Sequence, residues 1–132
     1  MHPVYVHIKK ELSPFYAEEE ASAMAKWISS DILHLSTLEL YTGKDMNFST
    51  KEWEELEDIL RRLKQREPLQ YILQEASFCG MSFHVEQGVL IPRPETEELV
   101  EWIVSDYREA GQVRILDIGT GSGCIPVSLA QL

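Results

Sequence analysis

Apolar positions recur at helical spacing through the first seventy residues and then change rhythm. Residues 4–12 predict a short helix. Ser13 and Pro14 read as the start of the next, with Ser13 as N-cap and Pro14 at the first helical position. Glu18, Glu19 and Glu20 then fall early in that helix, where carboxylates suit the positive end of its dipole. Met24, Trp27, Ile28, Ile32 and Leu35 form its apolar stripe. A third short helix over 38–41 ends at Thr42 and Gly43. Ser49 and Glu52 have the spacing of a capping box, each side chain able to bond the other's backbone N–H. The helix they open carries Trp53, Leu56, Ile59, Leu60 and Leu63 on one face. Glu54, Glu55, Asp58, Arg61, Arg62 and Lys64 lie on the other, and Pro68 closes it near Arg66. A further helical turn runs through Leu69, Tyr71 and Ile72. These stripes predict a small helical bundle packed on its own side chains.

After Glu75 the period shortens. Residues 77–85 and 89–91 predict two strands, with Glu86, Gln87 and Gly88 as their turn. Pro92 and Pro94 end the second, and residues 95–98 open a helix whose apolar face is Leu99, Val100, Ile103, Val104 and Tyr107. Gly111 fits the C-terminal cap. A buried strand over 113–118, a turn with Gly119, Gly121 and Gly123, and the opening of a last helix follow. Pro126 is tolerable there because the first turn of a helix has amides without partners in any case.

Composition narrows the function classes. A net charge of −10 over 132 residues argues against a tract that binds nucleic-acid phosphates, which needs clustered Lys and Arg. No apolar stretch approaches the roughly 20 residues of a membrane span. The N-terminus lacks the basic-then-apolar pattern of a signal peptide. Cys79 and Cys124 fit no disulfide framework or zinc spacing, so reduced cytosolic thiols are the plain reading. His2, His7, His34 and His84 show no ligand spacing, and no metal is assigned.

Candidate chemistry concentrates in the glycine turn. A dinucleotide site expects G-x-G-x-x-G, whereas Gly119, Gly121 and Gly123 alternate and Asp117 precedes them. D-x-G-x-G-x-G is the pattern of S-adenosylmethionine-dependent methyltransferases. Glycines let the backbone lie against a ligand with no Cβ in the way, and amides opening the next helix can meet a carboxylate. Asp117 can accept from loop amides or lie near the ligand's ammonium. The bland alternative is a strand–helix connection with no ligand. A nicotinamide-dependent oxidoreductase has the wrong glycine spacing.

A wider set of segments points to one family. Arg66-Glu-Pro-Leu-Gln-Tyr-Ile-Leu73, Phe78-Cys-Gly-Met-Ser-Phe83, Val89-Leu-Ile-Pro-Arg-Pro-Glu-Thr-Glu97 and Ile115-Leu-Asp-Ile-Gly-Thr-Gly-Ser-Gly123 occur in that order. Together they resemble the HemK (PrmC) family, N5-glutamine methyltransferases of peptide-chain release factors. The resemblance implies an α + β chain: a helical substrate-recognition bundle over 1–74, a β-hairpin linker over 75–92, and over 93–132 the first strand–turn–helix of an incomplete Rossmann-like methyltransferase domain. It implies S-adenosyl-L-methionine as cofactor, a release factor as protein substrate, and a cytoplasmic enzyme. By motif, Gly119, Thr120, Gly121, Ser122 and Gly123 would line the cofactor site, with Asp117 beside them. Residues 93–96 would lie at its edge, Thr96 touching the ligand; the alternative there is a junction shaped by Pro92 and Pro94, with Thr96 or Glu97 capping a helix.

Two residues depart from the family pattern: Gln74 stands where Gly is usual, and Pro126 replaces a small, helix-favouring residue. The family's Asn-Pro-Pro-Tyr loop, which holds the acceptor glutamine, and the acidic residue that holds the ribose would both lie beyond Leu132. No residue within the chain is a credible nucleophile or general base, so no catalytic residue is named, and the chain alone is expected to be inactive. Two other classes remain in view. One is a non-enzymatic module docking a release factor or ribosome. The other is an adenine-N6 nucleic-acid methyltransferase, disfavoured by the acidic balance.

Overall fold

The computed structural model describes residues 1–43 and 47–132. Contacts divide the chain into two compact units, Met1–Leu69 and Gln70–Leu132.

The first unit is helical. Its helices are α1 (Pro3–Leu12), α2 (Glu18–Asp31), α3 (Thr37–Thr42) and α4 (Thr50–Lys64), and α5 (Leu69–Leu73) begins at its end. Helix α1 starts on Pro3, and the His2 ring stands in for the usual hydroxyl cap, its Nδ1 accepting from the Val4 N–H at 3.1 Å. Val4, Tyr5, Ile8 and Leu12 are buried at helical spacing, and α1 packs against α2 and α4. Helix α4 begins with the expected capping box: Ser49 Oγ accepts from the Glu52 N–H at 3.2 Å, and the Glu52 carboxylate accepts from the Ser49 N–H at 3.1 Å. The same device opens α3 at Ser36 and Glu39, and Gly43 closes it in the left-handed conformation. Leu56, Ile59, Leu60 and Leu63 form the inward face of α4. Each such burial contributes about 1.5–3 kcal/mol against leaving the side chain in water. Polar ties reinforce the packing: the Tyr16 hydroxyl donates to the Leu63 carbonyl, and Lys64 Nζ meets the Glu11 carboxylate at 2.6 Å.

Two details of the helical expectations are corrected. Ser13 does not open α2. It ends α1, its Oγ and N–H both bonding the Lys9 carbonyl, and α2 starts four residues after Pro14 with Ala17 at the N-cap. The glutamates serve as predicted, in the first turn. The stripe also overruns the helix: α2 stops at Asp31, and Leu33 and Leu35 are buried from a turn in which His34 has φ +55°.

The second unit holds two strands, β1 (Glu75–Phe78) and β2 (Met81–His84), then α6 (Pro94–Tyr107) and α7 (Cys124–Gln131). The hairpin differs from expectation. Its turn is Cys79-Gly80, not residues 86–88: Phe78 pairs with Met81 and Glu75 with His84. Cys79 and Gly80 both have positive φ, +48° and +74°, as a two-residue turn matched to strand twist requires. Val89 instead donates to the Glu86 carbonyl in a separate turn, and residues 89–91 form no strand. The Tyr71 hydroxyl donates to the Val89 carbonyl at 2.6 Å and holds that segment. Phe78, Phe83, Val100 and Cys124 make the core of this unit. Of the expected apolar face of α6, Val100 is buried, Ile103 and Val104 are half-buried, and Leu99 and Tyr107 are exposed.

The expected strand over 113–118 is also corrected. These residues belong to no helix or strand, and the sheet among the described residues is the two-stranded antiparallel β1–β2. Backbone polar groups make a strand only when a neighbouring strand takes their hydrogen bonds. With none alongside, Leu116 and Ile118 are 84% and 88% exposed. The observed architecture is thus an α + β one, with helices and one antiparallel hairpin.

Candidate functional site

The glycine turn is built by backbone geometry before any side chain contributes. Gly119, Gly121 and Gly123 have φ of +75°, +58° and +83°. An L-residue in that region costs about 1–2 kcal/mol, so alternate glycines allow the chain to reverse hand three times within five residues. Beside Gly119 and Gly121 the space a Cβ would enter is open, with nothing within 4 Å. The Gly123 N–H closes a turn on the Thr120 carbonyl at 3.0 Å, and Gly123 then caps α7, its carbonyl accepting from the Val127 N–H at 3.1 Å. Pro126 is the third residue of α7, where the missing N–H costs no intrahelical bond.

One polar atom in this turn has no partner. The Ser122 Oγ is buried and makes no hydrogen bond. A buried hydroxyl without a partner costs roughly 1–3 kcal/mol. Asp117 is half-buried just before the turn, whereas Thr120 and Gly121 are exposed.

Thr96 sits in the first turn of α6, half-buried, its N–H bonded to the Arg93 carbonyl at 3.0 Å. Arg93 is the N-cap and offers no side-chain cap, and Pro94 occupies the first turn. Helices α6 and α7 pack on each other, with Val100 and Cys124 sharing the core. Thr96 and the glycine turn are therefore carried by two helices of one unit.

Glu97 has a role that local reading missed. It caps no helix; its Oε1 accepts from the Cys79 N–H at 3.0 Å, fastening the tip of the hairpin to the start of α6. The segment Pro94-Glu-Thr-Glu97 gave only its own helix as a context, and the tertiary partner was invisible there.

A cavity of roughly 700 Å³ lies in the same unit, walled by Ile103, Val104 and Tyr107 of α6, Val113 and Ile115, and Leu129 near the end of α7. None of residues 119–123 lines it. Arg108 and Arg114 also line it, so its wall is mixed in polarity, and the polar groups of the glycine turn lie elsewhere. No helix among the described residues is long and apolar enough to cross a membrane.

The profile of the PrmC N-terminal domain matches residues 5–73, slightly more than half of the chain. Curated relatives carry the name release factor glutamine methyltransferase. The protein from Bacteroides thetaiotaomicron is 47% identical over 129 residues, 98% of this chain and 46% of its own length. That from Flavobacterium psychrophilum is 40% identical over 123 residues, 91% and 43% of the two chains. That from Streptococcus pneumoniae is 40% identical over 114 residues, 86% and 40%. The chain spans about half the length of the curated relatives it matches.

Proposed function

Since this chain belongs to the PrmC family, defined by its N-terminal domain, we propose that it forms the substrate-recognition and cofactor-entry part of a cytoplasmic enzyme. That enzyme would transfer a methyl group from S-adenosylmethionine to a glutamine side-chain nitrogen of a peptide-chain release factor. The first unit, Met1–Leu69, would meet the release factor. Residues 93–132 would open a Rossmann-like domain, with 113–118 as a strand in a parallel sheet. The observation that carries the reading is the turn itself: three left-handed glycines, open space at two of them, and a buried Ser122 Oγ that lacks a partner.

These residues fit the cofactor. Its methionine end carries a carboxylate and an ammonium, and when bound it supplies an electrophilic methyl on a sulfonium. The amides at the start of α7 would hold the carboxylate, helped by the helix dipole. Asp117 would accept from the ammonium, and Ser122 would find in the ligand the partner it lacks. Thr96 would close the edge of the site from α6. The acceptor nitrogen is a poor nucleophile because its lone pair is delocalised into the carbonyl. It needs orientation and acceptors for its N–H groups as charge develops, and none of this chain's residues is assigned that work. The chain alone would therefore leave a release factor unmethylated.

The test is a titration of the 132-residue chain with S-adenosylhomocysteine, followed by amide NMR, with a nicotinamide dinucleotide as control. Weak, saturable shifts confined to Asp117, Thr96 and residues 119–125 are expected for the first ligand alone. Shifts for the dinucleotide only, or none in the turn at millimolar ligand, would refute the reading.

A further inference from the structure

The hairpin turns on a residue that the turn geometry does not suit. Cys79 has φ +48°, a conformation easy for glycine and strained for any residue with a Cβ. Such outliers persist only where their surroundings hold them. Two contacts hold this one. The Cys79 side chain packs against the cluster of Phe78, Phe83, Val100 and Cys124. Its N–H, belonging to a central residue of a two-residue turn, has no place in the β1–β2 ladder, and it donates to Glu97 Oε1 at 3.0 Å. That acceptor stands in the first turn of α6.

Glu97 is half-buried there, next to Thr96 and three residues before the fully buried Val100. Residues three apart share a helix face, so the Glu97 bond and the Val100 core contact anchor the same side of α6. Cys124, in the same core, directly follows Gly123. One hydrogen bond thus joins the hairpin tip to the helix start that carries Thr96, and one small core joins both to the first residue of α7. We propose that Glu97 is a positioning residue for the cofactor edge: its bond to the Cys79 N–H fixes the hairpin turn and the first turn of α6 against each other, and so sets where Thr96 stands.

The role of Thr96 rests on the proposed function; the bond and its hold on the two turns do not. Glu97 touches no reacting atom. Its task needs an oxygen acceptor at the reach of a glutamate, and the negative charge is incidental. An aspartate keeps the charge and falls one methylene short. A glutamine loses the charge and keeps the reach. A carboxylate that served only the dipole of α6 would rank these two the other way, aspartate adequate and glutamine poor.

The experiment compares the full 132-residue chain with Glu97→Ala, Glu97→Asp and Glu97→Gln by amide NMR. Glu95→Ala, which removes an exposed carboxylate of the same turn, is the control. Without ligand, exchange of the Cys79 amide should quicken about tenfold in Glu97→Ala and Glu97→Asp and stay within about threefold of the parent in Glu97→Gln. The Thr96 amide resonance should move in the first two only. With S-adenosylhomocysteine, the dissociation constant should rise about fivefold in Glu97→Ala and Glu97→Asp and stay within about twofold in Glu97→Gln and Glu95→Ala. Should Glu97→Ala loosen the whole unit, the aspartate and glutamine variants decide alone. Parent-like Cys79 exchange in Glu97→Asp, or a Glu97→Gln that behaves as Glu97→Ala does, would overturn the proposal. Equal affinity in chains that all bind overturns this inference alone. A parent chain that binds no S-adenosylhomocysteine refutes the proposed function and the cofactor role of Glu97 together.

Discussion

The two units differ in how fully they cover their large apolar side chains, although the second also has a buried core at Phe78, Val85 and Val100 and the first leaves Leu38 exposed. In the first, Ile8, Leu12, Ile28, Leu56, Leu60 and Leu63 are almost completely removed from water. In the second, Leu90, Trp102, Leu116 and Ile118 are each more than two-thirds exposed. The difference follows from what each kind of element needs. A helix satisfies its backbone internally and has one stripe to cover, so four helices cover one another. An extended apolar segment needs hydrogen-bonding neighbours on its edges and packing on its faces. Residues 113–118 have the composition for both and the surroundings for neither.

The sharpest way to break this contrast is to empty both places. Leu60→Ala in the first unit should cost about 2–5 kcal/mol, the transfer term plus the cavity left behind. Leu116→Ala in the second should fall within about 0.5 kcal/mol of zero. Urea denaturation followed by tryptophan fluorescence would measure both, and equal losses would erase the distinction. Next in size is the start of α4. Ser49→Ala removes one half of the capping box and should cost about 1 kcal/mol. Hydrogen exchange should localise the loss to the first turn, and unchanged protection there would remove the box from any role in stability.

Gln74 offers a change of the opposite sign. It has φ +56°, the conformation a glycine takes without strain. Gln74→Gly should therefore stabilise the second unit by up to about 1 kcal/mol, the relieved strain being partly offset by the freer unfolded chain. A lower midpoint in thermal melting would show that the side chain matters more than the backbone.

The smallest effect is a response to acid, and it belongs to the first unit. Hydrogen bonds from the Ser49 backbone and hydroxyl hold the Glu52 carboxyl below its usual range. The Lys64 ammonium does the same for Glu11, and the Arg62 guanidinium for Glu67. A carboxyl with a depressed folded pKa contributes stability that is present above the unfolded value and fades as pH falls through the folded one. The melting temperature of the first unit should thus be level near neutrality and decline below about pH 4.5, the ordinary carboxylate value. All three groups are near the surface, so salt should blunt the decline.

What could be read from the chain divides along the same physical line. The capping box at Ser49, Gly43 and the run Leu56, Ile59, Leu60 and Leu63 of α4 are local, every partner lying within four residues, and each was legible; the matching box at Ser36 and Glu39 went unread, and Trp53, set on the same face of α4, is 40% exposed. Ser13 and Pro14 show the limit of local rules. Ser-Pro matches a helix start, but the Lys9 carbonyl needed a donor first, and the serine ends α1 instead. The hairpin turn was misplaced because Glu86, Gln87 and Gly88 look more turn-like than Cys79-Gly80; the pairing of Phe78 with Met81 decided it. Of the site, the glycine spacing announced a turn after residue 118, while the three left-handed conformations came from the structure. The bond from Cys79 to Glu97 and the isolation of the Ser122 hydroxyl depend on tertiary packing and left no trace in the residue order.

Pro126 has a stoichiometric consequence. A helix normally starts with several free donors, but here the third residue has no hydrogen to give, and the Val127 N–H is already committed to the Gly123 carbonyl. Cys124 and Ile125 are therefore the only residues of α7 ahead of Val127 that carry an amide hydrogen, and the Pro126 ring fixes its own φ at a place where a helix can accept it without losing a bond.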